Sequence, residues 1–114
     1  MFPNFSENLI KRFFKPKSKV FTLWISDDQE LPELQQLSLR SVILTGHNVL
    51  LYSYGELKNV PKGVEVANAD KILDRSNIFK YKQGFNKGSY SGFANWFRVK
   101  RLYEQGGTWF DCDI

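Results

Sequence analysis

The order of apolar segments in the first half of the chain is the feature that most limits its fold. Residues 19–26 (KVFTLWIS) are rich in β-branched and aromatic side chains, which is typical of a buried strand. Residues 31–45 carry apolar side chains at helical intervals, with Pro32 in the first turn, where proline favours the start of a helix. Residues 48–54 (NVLLYSY) have a second strand pattern. Strand, helix and strand make a βαβ unit, so we expect a parallel sheet with right-handed crossovers.

The second half of the chain continues this alternation. Residues 64–66 indicate a short strand, residues 70–73 one helical turn, and the Gly-, Lys- and Asn-rich residues 80–90 a loop. Ser91–Gln105 has a helical pattern that the two following glycines would end, and residues 108–113 are typical of a strand. We therefore predict an α/β layered fold.

The composition excludes several classes of protein. Of the 114 residues, 42% are hydrophobic, including ten Phe, five Tyr and three Trp, which argues against intrinsic disorder. No apolar run approaches the ~20 residues of a membrane-spanning helix. Cys112 is the single cysteine, so an internal disulfide framework and a multi-cysteine zinc site are excluded. A buried thiol in a reducing compartment fits this usage, and we expect a cytoplasmic location.

The net charge of +4 is concentrated at the start of the chain. Within residues 1–18, basic residues alternate with apolar ones, and at about 100° per residue the apolar side chains fall on one half of a helical wheel. Such a helix lies either on an anionic membrane surface, through residues 1–15, or against the rest of the domain or a partner segment. Nucleic acid is not expected as a partner, because the basic residues form no stripe along the domain.

Two carboxylates stand two residues apart near residue 114. In an extended strand, residues i and i+2 point to the same side, so we expect Asp111 and Asp113 to share a face while Cys112 faces away. Adjacent carboxylates repel each other unless a cation lies beside them, and hard oxygen ligands favour Mg²⁺ or Mn²⁺. The pair therefore predicts a site for a divalent ion that also contacts substrate phosphates.

The polar residues of the helix before the carboxylates fall into two groups. Lys100, Arg101 and Glu104 cluster on one side of the helical wheel, where solvent alone explains them. Asn95 and Arg98 are i, i+3 neighbours at the edge of the apolar arc, so they are placed to act on one ligand together. A guanidinium on the core side of a helix requires an anion, which is either a ligand or a structural aspartate.

The end of the chain resembles the core signature of a known enzyme family. Residues 94–98 (ANWFR) and 102–114 (LYEQGGTWFDCDI) are similar to the sugar-binding region with an Asp-x-Asp motif of glycosyltransferases, with capsular polysaccharide synthesis proteins nearest in pattern. Residues 21–25 (FTLWI), followed by a Leu-Pro pair, resemble the opening strand and helix start of that family. The resemblance is strongest from Gly92 onwards and extends back to about residue 19.

The resemblance implies a GT-A fold, a Rossmann-like nucleotide-sugar-binding half with a mainly parallel sheet. It implies that Asp113 binds Mn²⁺ or Mg²⁺, and that Asp111 contacts ribose or sugar hydroxyls and assists the metal ion. Asn95 and Arg98 would hold the donor sugar or its phosphates, although many relatives carry Asp where this chain has Asn95.

The resemblance also implies the donor-binding aromatic residues and the activity. Trp24 would stack near the base, beside Ile25, and Trp109 stands where an aromatic residue is usual, either as a ligand contact or as part of the core. The implied reaction transfers a sugar from a nucleoside diphosphate sugar to a glycan or glycolipid acceptor, in surface or capsular polysaccharide synthesis. Acceptor-side residues normally follow the motif, so we expect residues 19–114 to be the N-terminal part of such a hexosyltransferase-type domain, and these residues alone to be inactive in sugar transfer.

Two other functions are consistent with parts of the sequence. Mg²⁺-dependent phosphatases and phosphotransferases also end an apolar strand in Asp-x-Asp, but their motif usually follows the first strand and has Thr two positions after the second Asp. A basic binding module without catalysis would account for the pI of about 9.2 and the aromatic content.

Overall fold

The computed structural model describes residues 19–82, 84 and 87–112, which form a parallel sheet with a helix on each face. The elements in chain order are β1 (Lys19–Leu23), α1 (Glu33–Leu44), β2 (Asn48–Ser53), β3 (Val64–Asn68), 3-10 helices at Ala69–Lys71 and Arg75–Asn77, α2 (Ser91–Gln105) and β4 (Thr108–Trp109). The predicted basic helix in residues 1–18, like Asp113, lies outside the described residues. No helix within the described ranges is long and apolar enough to cross a membrane.

The four described strands are all parallel and lie in the order β3-β2-β1-β4. β1 pairs with β2 over its whole length, and β4 pairs with the other edge of β1, where Phe21 is opposite Trp109. The α/β class and the parallel sheet predicted from the sequence are confirmed. From β1 the chain moves to one side for β2 and β3, and it returns to the other side for β4.

The alternation of side chains along the strands divides the core into two clusters. The α2-side core combines one face of β1 and β2 with the inner face of α2, and its largest members are Phe21, Leu23, Leu50, Tyr52, Phe93 and Phe97. The α1-side core combines the opposite face with α1, and its buried members are Leu31, Leu39, Val49, Leu51 and Cys112. Both faces of the sheet are therefore covered, as a parallel sheet requires.

α1 is shorter than predicted and buries a different face. Pro32 precedes it with an extended backbone (φ −62°, ψ 156°), and the Pro32 carbonyl accepts the N–H of Gln36 at 3.0 Å. Leu39 is fully buried, whereas Leu34 and Leu37, which belong to the predicted apolar pattern, are exposed. The pattern predicts the helix correctly but not the side that packs on the sheet.

α2 has the predicted bounds, but the arginine that it buries is Arg101 and not Arg98. Arg101 follows Phe93 and Phe97 at intervals of four residues, so all three lie on the stripe of α2 that faces the sheet. Only 3% of Arg101 is exposed. The prediction that solvent alone explains Arg101 is therefore wrong.

Neutral groups hold the guanidinium of Arg101. Its Nε donates to the Tyr52 hydroxyl at 2.6 Å, and its Nη1 donates to the Gly106 carbonyl at 2.9 Å. Its Cζ lies 3.6 Å from the centroid of the Phe21 ring, a cation–π contact. Arg101 thus joins α2 to β1, to β2 and to the turn that follows the helix.

Two glycines make that turn. Gly106 follows α2 with φ 67°, and its N–H donates to the Leu102 carbonyl at 2.8 Å, which ends the helix. Gly107 has φ 104° and lies against Phe21, where an added Cβ would be 2.2 Å from Cε2 of the ring. Both positions require glycine for their backbone conformation, and the second requires it for space as well.

β4 is shorter than the predicted strand. It spans Thr108–Trp109, and Phe110 adds one further hydrogen bond, from its N–H to the Phe21 carbonyl at 3.0 Å. Asp111 has left the sheet, and Cys112 lies in a turn with its side chain buried in the α1-side core. The predicted strand over residues 108–113 is therefore too long, and Asp111 is not in a strand. The predicted shared face of Asp111 and Asp113 is not tested, because Asp113 lies outside the described residues.

Candidate functional site

A cavity of about 240 Å³ opens where β1 and β4 end. Residues 23–25 form one wall, residues 88–91 at the start of α2 form another, and Trp109 and Asp111 close the side of β4. β1 and β4 are neighbours in the sheet, but the chain leaves β1 on one side and reaches β4 from the other. This is a topological switch point, the place where open parallel sheets bind their ligands beyond the carboxyl ends of the strands.

The Asp111 carboxylate is exposed at this pocket and is oriented by Trp109. The indole Nε1 of Trp109 donates to Oδ1 of Asp111 at 3.1 Å. The ring of Trp109 is half-buried, with its centroid 6.0 Å from that of Phe97 in the α2-side core. Trp109 is therefore both a core residue and a wall of the pocket. No described residue makes a hydrogen bond to the other carboxylate oxygen of Asp111.

Trp24 and Ile25 line the pocket from the end of β1. The backbone N–H of Trp24 donates to the Tyr52 carbonyl at 3.1 Å, which extends the β1–β2 pairing by one residue. Its indole Nε1 is buried and has no hydrogen-bond partner in the described part of the chain. Ile25 packs at the edge of the α2-side core. The sheet therefore fixes both residues at the mouth of the pocket.

Asn95 and Arg98 do not line this pocket. Asn95 is exposed, and Arg98 is half-buried. Arg98 lies one turn after Ala94 on the stripe of α2 that also carries Ser91, and both Ala94 and Ser91 do line the pocket. Arg98 forms no ion pair with any of the described acidic residues. The structure thus places Arg98 beside the pocket along its helix, outside the walls.

The sequence patterns give no sign of a polar cluster beside the pocket. The Tyr90 hydroxyl donates to Oδ1 of Asp27 at 2.6 Å, and Nζ of Lys80 donates to Oδ2 of Asp27 at 3.3 Å. The Lys80 ammonium lies 4.7 Å from the centroid of the Tyr90 ring. These residues are far apart in the chain, so only the fold brings them together. Asp27 follows β1 and Tyr90 directly precedes α2, but these positions do not predict the contact between them.

The pKa shifts in this cluster follow from its contacts. Hydrogen bonds from Tyr90 and then Lys80 hold the pKa of Asp27 below its ordinary value. Burial, followed by the hydrogen bond to Asp27, raises the pKa of Tyr90. The pKa of Lys80 is raised by its contacts with Tyr90 and Asp27. At neutral pH the cluster therefore contains a carboxylate, a neutral phenol and an ammonium.

The described residues suit a divalent ion only if a substrate supplies further ligands. Among residues 19–82, 84 and 87–112, no group of three or more His, Cys, Asp or Glu could hold a metal ion. Asp111 offers one carboxylate at the pocket, and Asp113 lies outside the described residues. This donor set fits Mg²⁺ or Mn²⁺ bound by one or two carboxylates together with substrate phosphates and water. It does not fit a cage made of protein ligands alone.

Compared with protein-family models, with curated proteins and with solved structures, the chain shows no match.

Proposed function

We propose that this protein is a glycosyltransferase of the Asp-x-Asp, GT-A type. It binds a nucleoside diphosphate sugar in the pocket between β1 and β4, and it transfers the sugar to a glycan or glycolipid acceptor, in keeping with surface or capsular polysaccharide synthesis. The observation that supports the proposal most directly is the meeting of Trp24, Trp109 and Asp111 at the switch point of a parallel sheet. All three belong to the segments that resemble the sugar transferases.

The chemistry of the pocket residues suits a sugar nucleotide. Trp24 and Trp109 offer flat apolar surfaces for the base and the sugar ring. Asp111 offers a carboxylate that can accept hydrogen bonds from sugar hydroxyls and, together with Asp113, hold a divalent ion. Mn²⁺ or Mg²⁺, when bound, supplies positive charge that stabilises the departing nucleoside diphosphate.

Arg98 is the candidate for a second positive charge at the diphosphate. It follows Ser91 and Ala94 on one stripe of α2 and has no described ion-pair partner, so its side chain is available to an anion. A guanidinium binds phosphate oxygens in a bidentate manner, which orients the group as well as neutralising it. Asn95, on the exposed side of the same helix, would contact the sugar beyond the pocket wall.

The position of Asp111 gives little support to the phosphatase alternative. In that class the motif usually follows the first strand, whereas Asp111 follows β4, at the edge of the described sheet. Asp27 and Asp28 do follow β1, but both are engaged elsewhere. Asp27 accepts a hydrogen bond from the Tyr90 hydroxyl. Asp28 accepts hydrogen bonds from the Ser26 hydroxyl and from the backbone N–H of Glu30.

Calorimetric titration tests the proposal. UDP and GDP are titrated into the protein with and without Mn²⁺, and we expect at least one of them to bind about tenfold more tightly with the ion, a difference of about 1.4 kcal/mol. Asp111→Asn keeps the size of the side chain but removes the charge, so it should remove most of that difference. Glu65→Gln is the matched control, because Glu65 is an exposed carboxylate on β3 that pairs with Lys19, away from the pocket.

Two results would count against the proposal. One is the absence of binding for both nucleotides with Mn²⁺. The other is nucleotide binding that neither requires the ion nor changes in Asp111→Asn. Release of UDP or GDP from a panel of sugar nucleotides then identifies the donor sugar.

A further inference from the structure

Tyr90 occupies a position in the pocket that no motif assigns to it. It is the residue that directly precedes α2, it is half-buried, and it lines the cavity together with Trp24 and Trp109. Three aromatic residues from three different segments thus line one cavity. The resemblance to sugar transferases implies roles for Trp24 and Trp109 but none for the segment that contains Tyr90.

The hydroxyl and the ring of Tyr90 face different surroundings. The hydroxyl donates to Asp27 at 2.6 Å, next to the Lys80 ammonium. Asp27 and Lys80, which hold the hydroxyl, are not among the residues that line the cavity, and the Lys80 ammonium lies 4.7 Å from the centroid of the Tyr90 ring, over one of its faces. With the hydroxyl bound to Asp27 and one face of the ring next to Lys80, the other face of the ring is the part of Tyr90 that is available to a ligand.

We propose that the ring of Tyr90 contacts the base of the bound nucleotide, and that Asp27 and Lys80 are positioning residues that hold this ring in place. This inference rests on the proposed function, because it assumes that a nucleotide occupies the pocket. A planar heterocycle stacks on an aromatic face, whereas a phosphate group gains nothing from one. Tyr90 therefore distinguishes the base-bearing part of the donor from its diphosphate.

The way in which Tyr90 is held supports a positioning role for its neighbours. Its hydroxyl is bonded to a carboxylate that follows β1, and the Lys80 ammonium binds the second oxygen of that carboxylate. These contacts fix the start of α2 relative to the end of β1, the two elements between which the cavity opens. Loss of the hydroxyl leaves the ring present but free to change its orientation.

Substitutions of Tyr90 test its contact with the base. UDP, GDP and inorganic pyrophosphate, each with Mn²⁺, are titrated into the wild-type protein and into Tyr90→Leu. We expect the nucleotide that the wild type binds to lose about fivefold to 150-fold in affinity, the range of one base–aromatic stack. Pyrophosphate affinity should change by less than about twofold. Tyr103→Leu is the control, since Tyr103 lies on α2, the helix that Tyr90 precedes, and is 91% exposed.

A double-mutant cycle tests the positioning role. Tyr90→Phe and Asp27→Ala each remove the hydrogen bond but keep a ring at the pocket, so each should weaken nucleotide binding by about two- to tenfold. Because both substitutions act through the same ring, the double variant should bind the nucleotide as tightly as whichever single variant has the lower affinity. Additive losses would overturn the positioning role of Asp27.

The outcomes separate this inference from the function on which it rests. If wild-type protein binds a nucleotide but Tyr90→Leu binds it equally well, or loses pyrophosphate affinity to the same extent, the base contact is refuted and the proposed function stands. If wild-type protein binds neither UDP nor GDP with Mn²⁺, the proposed function fails, and the inference fails with it.

Discussion

A single residue, Arg101, connects α2 with β1, β2 and the turn that follows the helix. Its side chain is buried, and it replaces the usual carboxylate partner with a phenol, a backbone carbonyl and an aromatic ring. The phenol is that of Tyr52, which is itself buried. Removal of the guanidinium would therefore leave a buried hydroxyl without its partner, and such groups cost about 1 to 3 kcal/mol.

We predict that Arg101→Met lowers the free energy of unfolding by about 1 to 3 kcal/mol, measured by urea denaturation. Methionine has a similar length and keeps the apolar packing, so the loss reports the hydrogen bonds and the cation–π contact. Tyr52→Phe should cost less in the Arg101→Met background than in the wild type, because both partners are then removed. Arg40→Met is the control, since Arg40 is exposed, and it should stay within about 0.5 kcal/mol. Equal losses for Arg101→Met and Arg40→Met would contradict the structural role of Arg101.

At the scale of single residues, the sequence indicates which side chains are buried better than it indicates which residues they contact. The spacing of Phe93, Phe97 and Arg101 was a usable signal for the buried arginine, because residues four apart share a helix face. A helical wheel alone does not show which arc of α2 packs on the sheet. It places Arg98 at the edge of the apolar arc and therefore favours Arg98 as the buried arginine. The contact between Asp27 and Tyr90 had no such signal, because it depends on two chain segments meeting in three dimensions.

The turn between α2 and β4 is the element that the sequence motif specifies most closely. Gly106 ends the helix and offers its carbonyl to Arg101, while Gly107 lets the chain pass against the Phe21 ring of β1. The glycine pair before Trp109 is thus explained in part by helix ending and packing, independently of any ligand. The turn also determines where Trp109 and Asp111 arrive at the pocket.

We predict that Gly107→Ala destabilises the protein by about 2 to 5 kcal/mol, as the sum of a left-handed backbone strain and an overpacked contact with Phe21. Gly106→Ala is the matched comparison. It also places alanine at a positive φ, but its Cβ would meet nothing within 4 Å, so we expect a loss of only about 1 to 2 kcal/mol. Urea denaturation of both variants measures the difference. If the two substitutions lower the free energy of unfolding equally, the contact with Phe21 contributes nothing to the effect of Gly107→Ala.

Among the elements, the helices and central strands follow from sequence patterns, and the edges of the sheet do not. The bounds of α2 were predicted correctly from its helical pattern and from the glycine pair that marks its end. β4 was predicted too long, because the strand pattern continues to residue 113, whereas the pairing with β1 ends at Phe21 and Trp109 although β1 itself continues to Leu23. Cys112 leaves the sheet to fill the α1-side core, and tertiary packing of this kind overrides local propensity.

For the molecule as a whole, the strand order determines where a ligand can bind. With β1 between β2 and β4, the only switch point of the described sheet lies at the carboxyl ends of β1 and β4. The parallel sheet was predictable from the βαβ pattern, but the order was not, since a pattern along the chain does not state on which side of β1 the last strand pairs. The order is what brings Trp24 and Asp111 to one cavity.

Because the pocket joins β1, α2 and the residues after β4, a ligand bound there should stabilise the whole fold. A ligand that binds only the folded state adds about 2.7 kcal/mol at a concentration of 100 times its Kd. For a domain of this size we therefore predict that UDP or GDP with Mn²⁺, at that excess, raises the Tm by roughly 10 to 15 °C in calorimetric scans. Asp111→Asn should lose most of this shift while unfolding at nearly the same temperature as the wild type without ligand, because Asp111 is exposed and lies outside both cores. A shift of equal size in Asp111→Asn would mean that the nucleotide stabilises the protein from a different site.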